Sequence, residues 1–167
     1  MSRSFEVSLD SPGTVAQVHA AFGDRDYWLA RLDALGGSRT LDSLTVESDG
    51  TISVVSTEDL RHSALPGILA TLYRGDLNVV SSERWAPPGD REVRGEINVA
   101  VTGAPGSGHG AAVLAPSARG SQLKLSGTVE FRVPVIGGRI EDYLARVIVE
   151  GLSKVQSFTT EWIIDHA

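Results

Sequence analysis

No cysteine occurs in the 167 residues, which excludes disulfides, thiolate catalysis and cysteine-ligated zinc or iron–sulfur centres. Long apolar runs are missing too: nothing approaches the roughly eighteen consecutive apolar residues of a membrane-crossing helix. The first residues, Met1-Ser2-Arg3-Ser4-Phe5-Glu6, hold no apolar signal core. Positive charge is in deficit, with 15 basic against 21 acidic side chains and a net charge of −6, and such a surface repels phosphate backbones rather than gathering them. Nucleic acid is therefore not expected as a partner. The four histidines, His19, His62, His109 and His166, have no second ligand at metal spacing, so neither a metal nor a cofactor is expected. The rest is ordinary globular material, 41% hydrophobic and 22% charged, of a length that suits one domain over residues 1–167. Together these features read as a soluble cytoplasmic protein with at most transient membrane contact.

What is present is organised around the C-terminal end. From Val135 to Ala167, Ile136, Ile140, Leu144, Val147, Ile148, Val155, Phe158 and Trp162 recur at three- and four-residue steps, while Asp142, Arg146, Ser153 and Thr160 fall opposite. That spacing predicts one long amphipathic helix, entered through Gly137-Gly138 and not interrupted by proline. Some 28 residues at ~1.5 Å each would span roughly 40 Å, so a large apolar surface must cover it. Gly151 lies on the apolar stripe, where glycine costs about 1 kcal/mol relative to alanine. Two explanations stand: close packing against a bulky neighbour, or room left for a ligand.

Upstream, Phe5, Val7 and Leu9 alternate with Ser4, Glu6 and Ser8 as a half-buried strand does. Ser11 can then cap a short helix with Pro12 at its first position and Phe22 at its end. Asp24 caps a second helix, carried by Tyr27, Trp28, Leu32 and Leu35 and ended by Gly36-Gly37. From Arg39 to Val133 the pattern changes to strands. Ser48-Asp49-Gly50 marks a hairpin between Leu44-Thr45-Val46 and Ile52 to Val55. Further strands are expected over Asp76–Trp85, Arg91–Thr102, Ala111–Leu114 and Gln122–Val133, separated by Pro87 to Asp90, by a glycine-rich loop from Gly103 to Gly110, and by Pro116 to Gly120. Between the third and fourth strands, Ala64 to Tyr73 has helix-like spacing and is too long for a tight turn. It reads as a lid of core hydrophobics or a flap over a cavity.

Candidate chemistry is sparse. Gly106-Ser107-Gly108-His109-Gly110-Ala111 formally fits a dinucleotide loop, but Pro116 and Gly120 leave no room for the helix that must follow it. Gly103 to Gly108 has phosphate-loop glycine spacing, but His109 and Gly110 stand where Lys and Ser or Thr are needed. The Glu58-Asp59 pair beside Arg61 and His62 reads as solvated charge at a strand end or as a polar anchor at a cavity mouth. No residue is singled out as catalytic.

Strand, two short helices, about six antiparallel strands and a long terminal helix resemble the α+β helix-grip arrangement of the START and Bet v 1-like superfamily, over the whole chain. More narrowly, Phe5-Glu6-Val7, Tyr27-Trp28 leading through Arg31-Leu32 to Leu35-Gly36-Gly37, Leu65-Pro66, Trp85 ending a strand and Pro134 to Gly138 are similar to an actinobacterial family, the domain-of-unknown-function family numbered 2505. The resemblance implies a curved antiparallel sheet of six to seven strands gripping the helix, with an apolar cavity between them that in many relatives holds hydrophobic molecules. The helix would then line the cavity with Ile140, Leu144, Val147, Ile148, Gly151 and Val155. Inward sheet positions would add Trp85, Ile97, Val99, Leu125, Val129 and Phe131, and the lid Leu69 and Tyr73. The expected partner is a hydrophobic small molecule or lipid, bound rather than transformed. A cyclase or dehydratase on the same fold would need a carboxylate or histidine facing inward, and a cochaperone-like module an apolar patch outside the cavity.

The eight large apolar side chains of the helical stripe are each worth ~1.5 to 3 kcal/mol on burial, together comparable to the net stability of a domain. Deleting residues 143–167 is therefore expected to abolish the single cooperative unfolding transition in a thermal melt. A truncated chain that still melts sharply near the full-length temperature would show the helix to be an appendage.

Overall fold

The computed structural model describes residues 2–60 and 67–167. Strand β1 (Ser2–Ser11) is followed by helices α1 (Val15–Phe22) and α2 (Arg25–Leu35), then by strands β2 (Ser38–Val46) and β3 (Ile52–Asp59). After helix α3 (Gly67–Leu72) come β4 (Asn78–Trp85), β5 (Val93–Thr102), β6 (Gly106–Ser117) and β7 (Gly120–Phe131), and α4 (Gly137–Asp165) ends the chain. The strands form one seven-stranded antiparallel sheet in the order β1-β7-β6-β5-β4-β3-β2. Strands adjacent in sequence are adjacent in space except β1 and β2, which are the two edges, and α1 and α2 connect them. This is the helix-grip order of elements that the sequence predicts.

Local signals place the helices. Thr14 caps α1 through a reciprocal box: its hydroxyl accepts from the Gln17 N–H at 3.1 Å, and the Gln17 side chain accepts from the Thr14 N–H at 2.9 Å. The expected cap at Ser11 is thus displaced by three residues, because a Thr-x-x-Gln box satisfies two orphan donors where Ser11 offers one acceptor. Ser11 instead ends β1 and accepts from the Gly13 N–H. Asp24 caps α2 as expected, accepting from the Asp26 N–H at 2.8 Å. Gly36, at φ 73°, stops that helix.

The glycine-rich segment differs more. Only residues 103–105 turn, and Gly106 begins a twelve-residue strand running between β5 and β7. Period-two alternation cannot be read from residues without side chains, which is why Gly106-Ser107-Gly108-His109-Gly110 passes for a loop in the sequence. These glycines belong to a strand inside the sheet, not to a loop. A Cβ at Gly106 would lie 3.0 Å from the Phe131 ring. Helix α4 also starts two residues later than Val135: Gly137 is its first residue and is buried, while Val135 is fully exposed at φ 72°.

Two apolar clusters hold α4 to the sheet. The larger gathers Phe22, Tyr27 and Trp28 of the α1–α2 region with Ile52, Trp85, Val93, Ala112, Leu114 and Leu125 of the sheet, and takes Ile163 and, partly buried, Leu152, Phe158 and Trp162 from the C-terminal half of α4. Its rings pack edge and tilt, Phe22 4.7 Å from Trp85 and Tyr27 5.8 Å from Trp162. The smaller joins Leu69, Phe131 and Ile140, flanked by Tyr73, Val133, Ile136 and Leu144. There the buried Glu141 accepts from the Phe131 N–H at 3.0 Å, tying the first turns of α4 to the end of β7.

Gly95 is the tightest contact in the larger cluster, since a Cβ there would stand 2.5 Å from the Trp85 ring. Gly95→Ala is therefore expected to cost roughly 1 to 3 kcal/mol by overpacking. Denaturant unfolding should show the midpoint falling with an unchanged slope, and an unaltered midpoint would contradict this packing.

Candidate functional site

Register sorts the inner face of the sheet into rows running across the strands. One row, Ile52, Trp85, Gly95, Ala112, Leu125 and Val7, belongs to the larger cluster or packs on it. At the far end Phe131 anchors the smaller cluster. Between them lie two rows of another character. Val54, Glu83, Ile97, Gly110 and Gly127 form the first, and Ser56, Ser81, Val99, Gly108 and Val129 the second. Glu83, Ile97, Ser56 and Ser81 are only half-buried, so this part of the floor is polar and aliphatic surface with incomplete cover, while Phe5 lies against Gly127.

The helix above repeats the pattern. Its buried residues are Gly137, Ile140 and Glu141 near one end and Thr159 and Ile163 near the other. No residue from 142 to 158 is buried. Leu144, Ile148, Leu152 and Val155 are half-buried, Val147 is 43% exposed, and a Cβ at Gly151 would meet no atom within 4 Å. Of the two explanations for Gly151, close packing has no neighbour to pack against.

The residues expected to bind a ligand therefore fall into groups. Trp85 and Leu125 sit inside the larger cluster, and Leu69, Phe131 and Ile140 inside the smaller. Tyr73 packs its ring on Phe131 at 5.8 Å, and Val129 is buried. Ile97, Val99, Leu144, Ile148, Gly151 and Val155 surround the loosely covered middle, with Val147 at its margin. Leu65, Pro66, Arg61 and His62 lie outside the described residues. Glu58 faces inward and pairs with Arg39 at 3.1 Å.

Sequence reading missed the polar part of this region. Arg31 of α2 and Glu83 of β4 meet on the inner side at 3.6 Å, their side chains 12% and 14% exposed. The Arg31 guanidinium also lies 4.3 Å from the centre of the Trp28 ring and donates to the Tyr27 hydroxyl at 3.5 Å. The Tyr27 hydroxyl is 2.6 Å from that of Thr159, which donates to the Val155 carbonyl at 2.8 Å. The proton order is fixed by these ends: Arg31 gives to Tyr27, Tyr27 to Thr159, Thr159 to the backbone of α4. Burial works to lower the Arg31 pKa, but Tyr27 and Glu83 outweigh it and hold the guanidinium above the ordinary arginine value. The signal in sequence was faint. Along β4, Val79-Ser81-Glu83-Trp85 faces in and Val80-Ser82-Arg84 faces out, so polarity does not tell the faces apart.

A concavity of about 880 Å³ lies on the outer face and is lined by Ser4, Glu6, Glu96, Asn98, His109 and Thr128 among others. It is broad, and its walls are mainly polar side chains from the solvent side, unlike the apolar sites that enclose small molecules. Among the described residues no group of histidines and carboxylates could hold a metal, and no helix is long and apolar enough to cross a membrane.

Residues 6–163 match the family described as protein of unknown function (DUF2505). The chain belongs to this family. Uncharacterised proteins of Mycobacterium tuberculosis and Mycobacterium bovis are 38% identical to this DUF2505 protein over 173 residues, covering 99% of both chains. Among solved structures it is similar to a protein from Thermus thermophilus (TM-score 0.57, 15% identity, 100% of this chain and 99% of that one). It is also similar to Ara h 8.0201 (0.51, 12%, 99% of each) and to norcoclaurine synthase from Thalictrum flavum, solved with dopamine and hydroxybenzaldehyde (0.58, 10%, 100% and 89%). At these identities the likeness establishes the fold, START/Bet v 1-like helix-grip, and not the activity.

Tyr27 is fully buried and its hydroxyl links α2 to α4. Tyr27→Phe should cost roughly 1 to 3 kcal/mol, because it strands the Thr159 acceptor and removes one from Arg31. Chemical denaturation measures this, and a neutral result would mean the chain of hydroxyls carries no tension between the helices.

Proposed function

We propose that this DUF2505 protein binds a hydrophobic small molecule or lipid in the space between the sheet and the middle of α4, in the cytoplasm, without transforming it. The observation that carries this reading is that the middle of α4 buries no residue. From 142 to 158 the helix buries no residue, although Leu144, Ile148, Leu152 and Val155 are large and apolar. Apolar surface half-covered on a helix and half-covered on the floor beneath it gains from an apolar guest, at about 25 cal/mol for each Å² removed from water. Sites of that kind are concave and mostly apolar, with a few polar groups to orient the occupant. Norcoclaurine synthase, which shares the fold, was crystallised with two aromatic molecules. Glu83 gives the enzyme reading a foothold, as an inward-facing carboxylate beside the apolar space of the sort general acid–base catalysis uses. Its pairing with Arg31 favours a binding role over proton transfer.

Titration with N-phenyl-1-naphthylamine, an uncharged probe that fluoresces in apolar surroundings, tests the proposal. Saturable binding is expected in the parent protein. Gly151→Leu should keep or slightly raise the melting temperature, since the helix gains propensity worth somewhat under ~1 kcal/mol, while probe affinity falls. A destabilised variant with unchanged probe affinity would sink the assignment.

A further inference from the structure

The Arg31 guanidinium is poorly satisfied for a group so covered. It has five N–H donors, and its polar contacts are Tyr27 at 3.5 Å and Glu83 at 3.6 Å, both beyond the 2.7 to 3.2 Å of a good N–H···O bond. Its Nε is buried with no hydrogen-bond partner among the described residues. A buried donor without an acceptor normally costs enough that structures avoid it. Trp28 beneath the guanidinium plane favours that placement. Arg31 and Glu83 both stand on the inner side of the sheet, and Ile97 is the register neighbour of Glu83. The next row adds the Ser56 and Ser81 hydroxyl-bearing positions. At the other side, the hydroxyl chain from Arg31 ends on the carbonyl of Val155, one turn from Gly151. The polar pair therefore stands at one end of the apolar space.

We propose that Arg31 and Glu83 form the polar subsite of that space and select an apolar molecule ending in an uncharged hydroxyl over one ending in a carboxylate. This rests on the cavity reading above and adds the chemistry of the ligand's head. A hydroxyl complements both partners at once: its oxygen accepts from the under-satisfied guanidinium and its proton goes to the Glu83 carboxylate. A carboxylate can only accept. It would bring a second negative charge beside Glu83 into a place shielded from water, where the one positive charge is already shared. Sites built to pair with a ligand hydroxyl also reject analogues that lack it, because their own buried groups are then left unpaired.

Chain-matched competitors test this by displacing N-phenyl-1-naphthylamine: 1-dodecanol, dodecanoate and dodecane. The parent protein should prefer dodecanol to either of the others by roughly tenfold to hundredfold, the range expected for hydrogen bonds to charged groups. Glu83→Gln retains the size of the side chain and removes its negative charge, so the preference should swing toward dodecanoate. Arg31→Met keeps an unbranched stem and should bring dodecanol down to the affinity of dodecane. Thermal melts of both variants verify that they fold, and the parent's own ranking stands whether or not they do. A parent that binds dodecanoate as well as dodecanol overturns the inference, as does a ranking that Glu83→Gln leaves unmoved. If the parent takes up no probe at all, the cavity reading falls, and this inference with it; probe uptake without discrimination removes the inference alone.

Discussion

The rest of the fold depends on how α4 is held. The helix is long because it must reach both apolar clusters, and polar contacts to β1, Asp142 with Arg3 and Gln156 with the Asp10 carbonyl, run along its side. At one end Phe158, Trp162 and Ile163 enter the aromatic mass of Phe22, Tyr27, Trp28 and Trp85. At the other, Ile140 and Glu141 lock onto Phe131. A side chain of ordinary size cannot bridge helix and sheet everywhere at once when glycines occupy the floor at 108, 110 and 127. Close packing is the default of protein interiors, so an extended stretch without buried residues, bounded on both sides by tight clusters, is a constructed feature.

The wedge of α1 and α2 makes that construction possible. These helices link the two edges of the sheet, and their junction supplies the bulk that sets the distance between α4 and the strands. Trp28 shows the detail of the arrangement: its indole N–H donates to the Phe22 carbonyl at 2.6 Å, closing the α1–α2 corner, while its ring face carries Arg31. One residue thus stabilises the corner and presents a cation to the inner space. Charge and packing are set by the same geometry.

Polar groups on the inner face are few and concentrated. Arg31 with Glu83, and Arg39 with Glu58, join α2 or β2 to the sheet as opposite-charge pairs, whereas β5 presents Ile97, Val99 and Val101 inward. Members of one fold that share these elements can differ in ligand through a handful of such inward positions.

Much of this was legible in the chain itself. Periodicity fixed the long helix, the alternation of Phe5 to Leu9 and Leu123 to Val133 marked two strands, and Asp24 and Gly36 bounded α2, because each of these signals is local and repeats along the backbone. The glycines of β6 were not legible, since glycine at every second position leaves no apolar face to read. Nor was the Arg31–Glu83 pair, whose partners stand far apart in the chain and are brought together only by the folded structure. Gly151 shows the division most plainly. Its place on the apolar stripe followed from the 3.6-residue period alone, but whether the position faced a neighbour or a void depended on where two distant clusters stopped the helix, and that distance is a property of the assembled structure.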